Sequence, residues 1–120
     1  MKTKKLGSTL LKMYDSEEFK YYDDERCDSE NKRDLKKRIV RMARVYVSRL
    51  PQGTKVVDST WSIAMYVAHI YNDDFPVSPS RWIQMSNKRL KNPFKNLREF
   101  NKLFYKFLKD IDYKCFIDSI

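Results

Sequence analysis

Apolar residues return every third or fourth position through four separate stretches of the chain. The first runs from Ser29-Glu30 to Leu50, where Leu35, Ile39, Met42, Ala43, Tyr46 and Leu50 fall on one stripe before Pro51 and Gly53 stop the helix. The second opens at Asp58, Ser59 and Thr60, whose side chains can accept hydrogen bonds from the opening amides. From Trp61 onward, Ala64, Val67, Ala68 and Tyr71 share a face, and Ile63, Tyr66 and Ile70 extend it round the other side. A helix that is apolar nearly all round is a buried one. The third stretch restarts cleanly at Ser78-Pro79, a cap followed by proline at the first helical position, and runs to about Lys91. Trp82, Ile83, Ser86 and Leu90 gather on one side of it, with Met85 at the flank. The fourth begins at Pro93 or Asn96 and sets Leu97, Phe100, Phe104, Phe107, Leu108 and Ile111 on a wide apolar face. Beyond it, DYKCFIDSI reads either as a short strand or as a tail packing Phe116 and Ile117 on the bundle. Ser8 could cap a further short helix carrying Leu10, Leu11 and Tyr14. The pattern predicts an all-α fold, a single compact domain of four or five helices over 31–120, preceded by a segment of different character over 1–30.

Composition agrees with helices and adds a partner class. The chain has 120 residues, long enough to bury a core without metal or disulfides, and only two glycines. Its net charge of +9 points to a polyanion or an acidic protein surface. Ribosome, nucleic acid and anionic membrane all satisfy the charge alone. Lys, Tyr, Asn, Asp and Ile are abundant and Ala and Gly scarce, the bias of an AT-rich genome, so a virus, phage or AT-rich microbe is the expected source.

The charge is unevenly placed. Lys2, Lys4 and Lys5 form a basic arm, a solubilising end or a reach toward phosphates. Eight carboxylates between Asp15 and Glu30 stand against Lys20 and Arg26, so this segment is −6 and the rest of the chain +15. Phe19, Tyr21 and Tyr22 sit within it. It reads as a solvated acidic linker drawn back onto the basic face, or as a docking segment for a protein partner. It lacks the alternating oxygen ligands and central glycine of a calcium loop. In the first long helix Arg33, Lys37, Arg41 and Arg44 line up opposite the apolar stripe, with Lys36 and Arg38 on the shoulders. A basic amphipathic helix can also lie on a membrane, but this stripe has core residues and no Trp or Phe anchors. In the fourth helix Lys95, Arg98, Lys102, Lys106 and Lys109 group opposite the aromatics, which read as core rather than as a stacking surface for bases.

The third helix has the most informative faces. Arg81, Gln84, Lys88 and Lys91 point away from the Trp82 side, with Asn87 at the border. Arginine pairs bidentately with guanine, glutamine or asparagine with adenine, and lysine adds phosphate contacts. Buried helix, break, then a short helix with exposed Arg and Gln near its start resembles the helix-turn-helix class of DNA-binding proteins, over roughly a third of the chain. The break NDDFPVSP is longer than the usual tight turn and holds no glycine. The resemblance implies that the helix beginning at Pro79 enters the major groove. An ordinary helical hairpin with a solvated basic face is the alternative.

Catalytic chemistry finds no support in the sequence. The single histidine, His69, lies in an apolar helix and reads as structural. No Gly-rich phosphate loop, GxSxG elbow or Cys/His metal spacing occurs, so neither cofactor nor metal is expected. The longest apolar run, Ile63 to Tyr71, is far short of the roughly 20 residues of a membrane span, and the N-terminus is not a convincing signal peptide. Cys27 and Cys115 are read as free thiols of an intracellular protein. The expected function is non-enzymatic: a small regulator binding nucleic acid, preferably duplex DNA. Base contacts are expected from Arg81, Gln84 and Asn87, and phosphate contacts from Lys88, Lys91, Arg33, Lys37, Arg41 and Arg44. The competing expectation is a viral or phage adaptor or inhibitor that binds a host protein through Phe19, Tyr21 and Tyr22 and the basic helices.

Overall fold

The computed structural model describes residues 29–72, 76–90 and 94–115, which form an all-α domain. Four helices follow one another: α1 Ser29–Ser48, α2 Asp58–Asn72, α3 Pro79–Arg89 and α4 Leu97–Asp110. No strand occurs among the described residues. The basic arm, the acidic-aromatic segment with its Phe19, Tyr21 and Tyr22, Cys27, Lys91 and the tail residues Phe116 and Ile117 lie outside them.

Local chemistry sets the ends of the helices. α1 closes two residues earlier than its periodicity predicts, with Arg49 N donating to the carbonyls of Val45 and Tyr46. In the following turn Thr54 N donates to Pro51 O, and Gly53 sits at φ 89°, a left-handed conformation that glycine adopts without a Cβ penalty. α2 opens with Thr60 Oγ1 accepting from Val57 N at 3.1 Å, and Asp58 adds a carboxylate at the positive end of the helix dipole. Ser78 caps α3, its Oγ accepting from Arg81 N with Pro79 behind it in the first turn. Asn96 caps α4 by accepting from Glu99 N at 2.8 Å, while the Glu99 carboxylate accepts from Lys95 N. That reciprocal pair is a capping box displaced by one residue at its return bond.

α2 is the axis of the packing. Every residue from Trp61 to His69 is buried. Asn72 Nδ2 reaches Met42 Sδ on α1, Ser62 and His69 meet Trp82 on α3, and Tyr66 meets Phe100 and Phe104 on α4. Neighbours on three sides explain why the apolar pattern of α2 has no polar face. Tyr71 is the departure: expected on the apolar face, it is 48% exposed. On α1, Ile39, Met42, Ala43 and Tyr46 are buried as their stripe predicts, joined by Val40. On α4, Phe100, Phe107 and Ile111 are buried, Leu103, Phe104 and Leu108 are half-buried, and Leu97 is exposed at the helix start.

The end of α4 is a left-handed cap rather than the start of a strand. Tyr113 N donates to Leu108 O and Asp112 N to Lys109 O, the paired bonds of a Schellman motif. Both Asp112 and Tyr113 have φ 57°. The chain then turns back to α1, where Tyr46 Oη donates to Cys115 O at 2.5 Å and Arg49 Nη1 to Lys114 O. Cys115 carries a free thiol, and its partial burial raises the thiol pKa.

Replacing Asp112 with glycine removes the Cβ penalty of the left-handed position. The Asp112→Gly variant should gain a few tenths to about 1 kcal/mol in urea denaturation, the glycine entropy cost offsetting part of the relief. Trp61→Ala should lose about 3–5 kcal/mol in the same measurement, since a buried indole leaves a cavity that α2 cannot collapse into.

Candidate nucleic-acid interface

The surface proposed from sequence is borne by α3, an 11-residue helix. Trp82, Ile83, Met85 and Ser86 are buried, whereas Arg81, Gln84 and Lys88 are exposed. The sidedness read from the spacing is therefore the sidedness in the structure.

What holds α3 in place is a set of polar bonds inside an aromatic cluster. Trp82 is wholly buried, and its Nε1 donates to Ser62 O at 3.2 Å and to Ser62 Oγ at 3.0 Å. Ser62 Oγ lies 2.7 Å from Ser86 Oγ one turn further along α3. The Trp82 ring stacks on His69 at 5.6 Å and 17°, and tilts against Tyr66 at 5.1 Å. His69 Nε2 accepts from Val77 N at 3.0 Å, and Tyr66 Oη donates to Val77 O at 2.8 Å. Both polar groups of the Val77 backbone, at the entrance to α3, are thus held by α2 side chains. A buried polar group left unpaired costs about 1–3 kcal/mol, so each of these bonds discriminates against a shifted α3.

Asn87 has a different role from the one expected of it. Its Nδ2 donates to Phe94 O at 3.1 Å and its Oδ1 accepts from Phe94 N at 3.4 Å. The carboxamide closes the connection from α3 to α4, and Phe94 is buried against Phe100 at 4.9 Å. A bidentate amide engaged in this way has no donor-acceptor edge left to present to adenine.

Of the phosphate-contact candidates, Lys37, Arg41 and Arg44 are exposed on α1, and Arg38 beside them is exposed too. Arg33 belongs to the early turns of α1, with its side chain outside the described part of the structure. α1 and α3 both contact α2, so the two basic edges belong to separate helices bridged by it. Spacing alone does not reveal the polar network of Ser62, Ser86 and His69. The one signal it carries is the presence of polar residues on otherwise apolar faces.

His69 serves the fold, stacked and hydrogen-bonded as described. Among the described residues no three His, Cys, Asp or Glu side chains converge on a point, and no helix is long and apolar enough to cross a membrane. Comparison with protein-family models, with curated proteins and with solved structures finds no match to the chain.

Burial holds two core tyrosines neutral to high pH. Tyr66 is pushed up to about 12 by desolvation. Tyr46 is raised further, by desolvation first and then by Cys115 and Tyr71, with Arg49 opposing. Between the ordinary tyrosine value of about 10 and these raised values the unfolded chain has lost protons that the folded chain keeps. Stability should therefore be full below pH 10 and fall as pH rises toward 12. Urea midpoints measured from pH 8 to 11.5 should show this decline, and Tyr66→Phe should make it shallower while lowering stability at pH 8 by about 1 kcal/mol for the missing bond to Val77.

Proposed function

We propose that this protein is a small non-enzymatic nucleic-acid binder that places α3 against duplex DNA. The single observation behind this reading is the construction of α3: a helix clamped to the core along Trp82 and Ser86, with Arg81, Gln84 and Lys88 outward. A helix about 10–12 Å across with its side chains fits a major groove about 12 Å wide. Arg81 and Gln84 lie near its N-terminus, the end that reads base edges in helix-turn-helix proteins. Rigidity favours base reading, because a side chain on a fixed helix meets a base edge at little ordering cost. Lys37, Arg41 and Arg44 supply further positive charge toward phosphates, and the net charge of +9 favours a polyanion overall.

Fluorescence-anisotropy titration of duplexes that differ in sequence tests this reading. Arg81→Ala or Gln84→Ala should flatten discrimination between duplexes, each good base pairing being worth about 1–3 kcal/mol. Arg41→Ala or Arg44→Ala should weaken all duplexes alike and reduce the salt slope by about one unit for each phosphate no longer neutralised. Equal and small effects from all four would reject sequence reading by α3.

A further inference from the structure

The outer face of α4 combines charge with an exposed ring. Arg98, Lys102, Tyr105 and Lys109 are spaced i, i+4, i+7 and i+11, which superposes them within a narrow sector of the helix over about 16 Å of its length. All four are exposed, Tyr105 by 66%. Tyr105 is held edge-on by Phe104, ring centroids 5.6 Å apart at 71°, and Phe104 in turn stacks on the buried Phe100. The ring therefore touches the margin of the core through Phe104 while most of it faces water. Arg98, Lys102 and Lys109 make no ion pair with any described residue, whereas their neighbour Lys106 is bound to Asp110 at 2.7 Å.

Tyrosine and lysine are common on surfaces singly. Here an aromatic ring stands in the middle of a row of cations that no described residue pairs, all on one helix. Cations tracking a phosphate backbone and an aromatic ring taking a base are the two parts of a single-strand binding surface. A duplex keeps its bases stacked inside and offers this ring nothing to stack on.

We propose that the α4 face formed by Arg98, Lys102, Tyr105 and Lys109 binds single-stranded DNA, with an unpaired base stacked on Tyr105 and phosphates on the flanking cations. Arginine and lysine can donate to a ribose 2′-hydroxyl as well as to phosphate, but no hydrogen bond to a described residue fixes any of these side chains to read that hydroxyl, so deoxyribose suffices. This surface is separate from α3 and does not rest on the duplex reading.

Anisotropy with labelled oligothymidine tests it on the full chain. Tyr105→Ala should weaken binding about tenfold, the value of one base stack, while Tyr105→Phe stays within about twofold of the parent. Lys102→Ala should lower the salt slope by about 0.7. Tyr71→Ala, a half-exposed tyrosine on another helix, should leave affinity unchanged, and the thermal melt of Tyr105→Ala should match the parent because the ring is outside the core. Parent-like affinity of Tyr105→Ala, or an equal loss in Tyr71→Ala, would overturn the proposal in favour of generic electrostatics. Oligouridine binding more than tenfold tighter would overturn the assignment to DNA. Arg81→Ala separates the two surfaces, since it should alter duplex discrimination and leave oligothymidine affinity intact.

Discussion

The domain depends on one junction, where α2 holds the start of α3. Tyr66 and His69 take the C=O and N–H of Val77 between them, and Trp82 then inserts beside both rings with its indole N–H on Ser62. Each bond is buried, so each is stronger than it would be in water and more costly to leave unmade. Tyr66 also meets Phe100 and Phe104, which makes the same residue the contact through which α4 joins the pair. The position of α3, and with it the direction of Arg81 and Gln84, follows from this junction.

Around that junction the remaining packing is ordinary ring and aliphatic contact, closed at its ends by specific polar devices. Asn87 ties the α3–α4 connection to Phe94, and the Schellman cap of α4 returns the chain to Tyr46 and Arg49 on α1. These closures use side-chain amides, a hydroxyl and left-handed non-glycine residues in a chain that has only two glycines. The positive charge is consequently left on the outside of several helices. α1, α3 and α4 each bury an apolar face, and each has a basic one that nothing among the described residues covers fully.

Much of the architecture is legible in the order of residues alone. The caps Ser78-Pro79 and Asn96, the stop at Pro51 and Gly53 and the stripes of α1 and α4 all depend on chemistry within a few residues, which the sequence states directly. The exposed side of α3 is equally readable, because a helix of known period with Trp82, Ile83 and Ser86 on one face must present Arg81, Gln84 and Lys88 on the other.

Contacts across the fold are not readable in this way, for the reason that periodicity assigns a face and not a partner. Asn87 stands at a boundary in the periodicity, and only the return of Phe94 to within 3.1–3.4 Å of its carboxamide turns a candidate base reader into a structural clasp. Ser62 and Ser86 are 24 residues apart, and their pairing requires α2 and α3 already in place. Local order determined the helices, their caps and their charged sides. Tertiary packing decided which polar groups remain available to a partner, because burial and hydrogen bonding between distant residues consume some of the side chains that the sequence alone leaves open.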